Sequence, residues 1–153
     1  MNLSEKALGI KPSSTLSITE KAGLLRKEGK NVISFSIGEP DFDTPEHIKK
    51  AAIDAINEGF TRYTAAAGIV ELRQAVADKL KKDNGLDYDY TQIVISNGAK
   101  HSLINALMAV LNPGDEVIIP APFWLSYAEM VRIAGGTPVI VYTKQEENFA
   151  LTR

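Results

Sequence analysis

The stretch Ile93-Val94-Ile95-Ser96-Asn97-Gly98-Ala99-Lys100-His101-Ser102 decides how the chain is read. A β-branched run ends in small residues and passes directly into an apolar-periodic segment, Leu103, Ala106, Leu107, Val110 and Leu111. This pattern predicts a strand over 93–96, a glycine turn and a helix over 100–111. The first amides of such a helix lack intrahelical acceptors. Together with the helix dipole they suit an anion such as a phosphate.

Reading outward toward the C-terminus, Asn112-Pro113-Gly114-Asp115 is a strong turn. A strand over 116–119 follows, then a bend at Pro120 and Pro122, a helix over 124–134 closed by Gly135-Gly136, and a strand over 138–142. The alternation of strands and helices predicts an α/β fold with a parallel sheet. Residues 145–153 follow without a closing element.

Toward the N-terminus the grammar differs. Residues 1–16 are polar, rich in Ser and Thr, and read as an extended arm with a turn at Pro12. Thr19 is the expected N-cap of a short helix carrying Ala22, Leu24 and Leu25 and ending near Gly29. Val32 to Ile37 alternates as a strand and stops at Gly38. Thr44 and Pro45 are the expected N-cap and first position of a helix whose apolar face is Ile48, Ala52, Ala55 and Ile56, ended by Gly59. Residues 61–68 are irregular. Leu72, Val76 and Leu80 mark a further helix closed by Asp83-Asn84-Gly85.

Composition narrows the function classes. The chain has 153 residues, 44% hydrophobic and 24% charged, which is ordinary for a globular protein. Seventeen basic against nineteen acidic residues give a net charge of −2, and the basic residues form no stripe, so there is no electrostatic case for nucleic acid. The chain has no cysteine, which excludes disulfides and thiolate metal sites and fits a cytoplasmic protein. Residues 1–11 carry no apolar signal core, and no apolar run approaches the roughly 20 residues that span a bilayer. His47 and His101 have no acidic or histidine partner at ligand spacing, so no metal site is expected. Neither a Ser/His/Asp nucleophile pattern, a G-x-x-x-x-G-K-[ST] loop nor a G-x-G-x-x-G turn is present.

Five segments in order resemble one family. Ser36-Ile37-Gly38-Glu39-Pro40-Asp41-Phe42-Asp43-Thr44-Pro45 is similar to the substrate-loop signature of the class I pyridoxal-phosphate aminotransferases. Tyr63 to Ala67, then Gly68 with Glu71-Leu72-Arg73, resembles their Y-x-x-x-x-G-x-x-E-L-R signature. Asn97-Gly98-Ala99-Lys100 falls where that family binds the cofactor phosphate. Pro113-Gly114-Asp115-Glu116-Val117 and Ala121-Pro122-Phe123-Trp124-Leu125-Ser126-Tyr127 complete the order. Lys11-Pro12-Ser13-Ser14-Thr15 points, within the family, to the bacterial aspartate aminotransferase branch.

The resemblance implies the large domain of fold type I, with a mostly parallel sheet represented only by its N-terminal part. Residues 1–44 would form the N-terminal arm and a small-domain segment, and 45–153 the incomplete start of the cofactor-binding large domain. The helices over 44–58 and 70–82 would belong partly to the small domain and the interdomain region. The strand over 93–96 would lack its native neighbours, so that the chain is unstable alone, part of something larger, or differently assembled.

The resemblance also implies an activity: transfer of an amino group between an amino acid, aspartate or glutamate preferred, and a 2-oxo acid through pyridoxal 5'-phosphate. Family chains are much longer. The lysine that forms the Schiff base with the cofactor would lie beyond Arg153, so no catalytic residue is assigned, and the chain is expected to be inactive alone. Aromatic amino acids and prephenate are the alternative substrates. A non-catalytic fragment that only binds or dimerises is the alternative of a different class.

Each candidate residue has a plain structural reading beside the implied one. Gly98 suits any strand–helix turn; by resemblance, Ala99 and Lys100 amides behind it bind the cofactor phosphate. Trp124 is the only tryptophan, and a lone tryptophan commonly belongs to a core. By resemblance its indole stacks on the cofactor's pyridine ring, off the carboxyl end of a strand. Lys100 sits in a helix first turn, where the dipole disfavours a cation. By resemblance it reaches the distal carboxylate of the substrate, assisted by Ser13 and Thr15 from the arm. Tyr63 is an ordinary surface tyrosine, or by resemblance donates its hydroxyl to the cofactor phosphate of the other subunit of a homodimer. Gly38 ends a strand, or by resemblance offers its backbone to the substrate α-carboxylate. Glu71 and Arg73 read as helix salt-bridge formers.

Overall fold

A computed structural model describes residues 2–10 and 12–151. In chain order its elements are α1 (Glu5–Leu8), α2 (Ser14–Lys27), α3 (Glu46–Asn57), α4 (Val70–Asn84), α5 (Ala99–Val110), β1 (Glu116–Ala121), α6 (Ser126–Ala134) and β2 (Thr137–Tyr142), with 3₁₀ turns at Tyr90–Gln92 and Gln145–Glu147. The chain forms two compact units. One comprises the residues up to Ile37 together with those from Gly98 onward, and the other is Gly38–Asn97.

The first unit is built on β1 and β2, which pair in parallel from Glu116 with Thr137 to Ala121 with Tyr142. A parallel pair needs a crossover, and α6 supplies it. Asn112 to Asp115 form the turn that launches β1: Asp115 N–H donates to the Asn112 carbonyl at 3.1 Å, and Asp115 Oδ2 accepts from Asn112 N–H at 2.7 Å. The core lies between α6 and the sheet. Val131 (2% exposed), Ile119 and Ala128 are its centre, with Leu107, Leu111, Val117, Phe123 and Ile140 packed around them. Burying a side chain such as Val131 contributes about 1.5–3 kcal/mol. Gly135, in the left-handed region at φ 96°, ends α6. At Gly136 there is little space for a side chain, since a Cβ would meet Leu111 Cδ1 at 3.0 Å and the Asp115 carbonyl at 3.2 Å.

In the same unit, the residues read as an arm are helical in part. The turn of helix α1 precedes α2, which starts at Ser14 and not after Thr19. Ser13 is the N-cap, its Oγ accepting from Leu16 N–H. Thr19 is inside the helix, and its hydroxyl donates to the Thr15 carbonyl at 2.8 Å. The end near Gly29 is as expected, with Gly29 at φ 81° and Lys30 N–H reaching back to the Leu25 carbonyl at 3.1 Å.

The second unit contains α3 and α4. Pro45, not Thr44, caps α3, without a side-chain hydrogen bond. Gly85, in the left-handed region, closes α4. The 3₁₀ turn at Tyr90–Gln92 carries a capping box: Asp89 Oδ1 accepts from Thr91 N–H at 2.8 Å, and Asp89 N–H donates to Gln92 Oε1 at 2.9 Å.

Two expected strands do not form. Among the described residues, 32–37 and 93–96 join no ladder, and the chain bends at Ser36. A strand is defined by a partner, and Ile95 N–H finds an isolated one, the Ala67 carbonyl at 2.9 Å.

Candidate functional site

The expected glycine turn into a helix is present. Gly98 is the N-cap of α5, with φ 80° and ψ 167°. That conformation is essentially restricted to glycine. The space where its side chain would stand is empty to 4 Å, so the backbone requires glycine before any ligand does. The first intrahelical bonds of α5 come from His101 and Ser102 N–H to the Gly98 carbonyl, at 3.1 and 3.3 Å. The amides of Ala99 and Lys100 precede them and have no intrahelical acceptor. Two N–H groups at the positive end of a 12-residue helix are donors of the kind that suits an anion.

Trp124 follows β1 and precedes α6, off the carboxyl end of the strand. It is not a core residue, being 50% exposed. Its indole N–H donates to Ser126 Oγ at 3.0 Å. The Lys100 ammonium lies over its ring, 5.3 Å from the centroid. A cation–π contact of this kind is worth about 0.5–1 kcal/mol at exposed sites. It also gives the Lys100 cation a favourable environment in a helix turn whose dipole opposes it.

Lys100 and Ser13 share the wall of an open cleft of about 900 Å³, together with Ser14, His101, Ser126 and Glu129. The rest of the wall is apolar: Ile10, Pro12, Ile104, Leu125, Met130 and Ile133. The cleft thus has Ser13 and Lys100 in one wall. Thr15 is in the first turn of α2 and does not line the cleft. Lys11 lies outside the described residues. Gly38 and Tyr63 belong to the second unit, where the Tyr63 ring is fully exposed.

Glu71 and Arg73 both read as helix salt-bridge formers, but among the described residues neither takes part in an ion pair. Arg73 Nε donates to the Ile93 carbonyl at 2.9 Å, and its guanidinium lies 5.2 Å from the centroid of Tyr90. Among the described residues no group of three or more His, Asp or Glu could hold a metal, and no helix is long and apolar enough to cross a membrane.

The sequence reading missed Ser126. A hydroxyl two residues after a tryptophan, at the first position of a helix, was the available signal. It also missed the apolar wall of the cleft, where Ile104 recurs with Lys100 one helical turn apart.

Comparison with known proteins places these residues in a wider group. The family model for aminotransferase class I and II matches residues 30–153. A probable aspartate/prephenate aminotransferase of Rhizobium leguminosarum is 56% identical over 142 residues, covering 93% of this chain and 36% of its own length. An aspartate/prephenate aminotransferase of Nitrosomonas europaea is 51% identical, covering 99% and 38%. The structure of an aspartate aminotransferase from Thermus thermophilus with maleate superposes with a TM-score of 0.93 at 45% identity, covering 99% of this chain and 40% of its own. The chain spans little more than a third of the length of these curated relatives.

Proposed function

The chain belongs to the aminotransferases of class I and II, and on that premise we propose that it supplies the phosphate cradle, ring platform and part of the substrate site of a pyridoxal-phosphate aminotransferase. Residues 1–44 are its arm and small-domain segment, and 45–153 begin its large domain. The observation that carries this reading is the junction of an α5 N-terminus with an exposed indole linked to it through Lys100.

The residues fit such a cofactor. The Ala99 and Lys100 amides are donors suited to a phosphate dianion, and nothing stands within 4 Å of the Cβ position of Gly98 to obstruct it. Trp124 offers a half-exposed π surface that fixes the plane of an aromatic ring, worth about 0.5–1.5 kcal/mol beyond burial. Bound there, pyridoxal phosphate supplies an electron sink for chemistry at the amino acid's α-carbon. The proton-moving lysine is assigned to a segment outside this chain, and the chain alone is inactive.

Lys100 and Ser13 recognise the distal carboxylate of aspartate or glutamate, with Thr15 assisting from α2. Their shared cleft supports this, as does the solution of the Thermus relative with maleate, a dicarboxylate. Prephenate, which appears in the names of the Rhizobium and Nitrosomonas relatives, is the second substrate reading. Gly38 meets the α-carboxylate, and the exposed Tyr63 hydroxyl reaches the cofactor phosphate of the other subunit of a homodimer. The cysteine-free composition supports a cytoplasmic location.

Fluorescence titration of the single tryptophan tests the cofactor site. Quenching of Trp124 at micromolar pyridoxal phosphate is expected, and emission unchanged into the millimolar range contradicts the assignment.

A further inference from the structure

We infer that Ser126 is a positioning residue that sets the plane of the Trp124 indole, and through it the ring-binding face of the site. This rests on the proposed cofactor site. Trp124 is 50% exposed and stands outside any helix or strand, so packing alone leaves its side-chain torsions poorly restrained. Two contacts hold it. Its N–H edge is tied to Ser126 Oγ at 3.0 Å, and the Lys100 ammonium sits over the ring at 5.3 Å from the centroid.

The two contacts differ in rigidity. Lys100 is a long, flexible chain whose ammonium is free to leave for a substrate carboxylate. Ser126 is the first residue of α6, a helix anchored by the buried Ala128, Met130 and Val131. Its turn is closed by Tyr127 N–H donating to the Trp124 carbonyl at 2.9 Å. The serine oxygen is thus an anchored point two residues from the ring. When Lys100 turns to a ligand, the Ser126 bond is the contact that keeps the indole in place. Pre-organisation of this kind lowers the conformational cost of binding a flat ring.

The single tryptophan gives a single indole N–H signal, which makes the bond directly observable in a proton–nitrogen correlation spectrum of the 153-residue chain. In Ser126→Ala this signal shifts upfield and its solvent exchange accelerates; Ser126→Thr restores both. Affinity for pyridoxal phosphate, read by Trp124 quenching, falls about three- to tenfold in the alanine variant, the factor of one typical hydrogen bond, and recovers with threonine. Far-UV circular dichroism checks the fold. If the alanine variant loses it, Ser126→Cys, of similar size but a weak acceptor, carries the same comparison. An unchanged indole signal, or wild-type binding matched by the alanine or cysteine variant, overturns the positioning role alone. Wild-type chain that binds no pyridoxal phosphate overturns the cofactor site and this inference together.

Discussion

Ile95 lies against Gly68 so closely that a β-carbon on the glycine would stand 2.6 Å from Ile95 Cγ1. Gly68 also has φ 99°, a region that L side chains rarely adopt. The glycine between Tyr63 and Glu71 therefore answers a packing demand and a backbone demand together. The adjacent Ala67 carbonyl holds Ile95 N–H at 2.9 Å, and Arg73 holds the Ile93 carbonyl. These contacts hold the segment that leads into the turn before α5.

Gly68→Ala is accordingly expected to destabilise the Gly38–Asn97 unit by about 2–4 kcal/mol, combining overpacking with left-handed strain. Urea unfolding followed by circular dichroism measures it. A loss below about 0.5 kcal/mol contradicts the close packing.

Gly98→Ala separates backbone from space. Open surroundings leave room for the methyl group, but φ 80° with ψ 167° does not suit alanine. Strain of about 1–3 kcal/mol is expected to be relieved by rotating the Ala99 amide, weakening pyridoxal phosphate binding at least tenfold. Equal affinity by Trp124 quenching contradicts that the amides at this turn bind the phosphate.

Lys100→Ala removes the charge over the indole. In an active enzyme carrying this sequence as its front portion, kcat/KM for aspartate and glutamate is expected to fall far more than for neutral amino acids. Equal losses for both substrate classes contradict the distal-carboxylate role.

Asp89 provides a pH test. Hydrogen bonds from the Thr91 hydroxyl and amide hold its carboxyl below the ordinary 3.8. A depressed folded value means that the capping contribution is present above the unfolded pKa and is lost as pH falls through the folded one, below 3.8. A carboxyl-carbon NMR titration is expected to place the Asp89 midpoint below that value. A midpoint at or above it contradicts the cap.

The order of elements was legible where local chemistry decides. Asn112-Pro113-Gly114-Asp115, the apolar runs of β1 and β2, and the glycines at 29, 59, 85 and 135 each act within a few residues, and the structure agrees with them. The parallel pairing of β1 with β2 followed from the intervening α6. The failures at 32–37 and 93–96 have one cause: β-branched alternation reports a propensity, whereas a strand needs a partner that periodicity does not name. Caps failed differently. Ser13 and Thr19 are both competent N-caps, and the choice of Ser13 lengthens α2 by more than one turn into what read as an arm. At the site, the helix terminus at Gly98 was readable because backbone amides follow from helix geometry. The meeting of Lys100 with Trp124 depends on side-chain direction across a turn, for which the spacing of residues carries no signal, whereas the Trp124–Ser126 bond left only the hint of a hydroxyl two residues after the tryptophan.

The central claim is that the α5 terminus and the indole bind one ligand. Amide chemical-shift mapping during titration with pyridoxal phosphate tests it most directly. The Ala99 and Lys100 amides and the Trp124 indole are expected to move together along one saturation curve. Shifts confined to other residues, or an indole that stays still while those amides move, would contradict it.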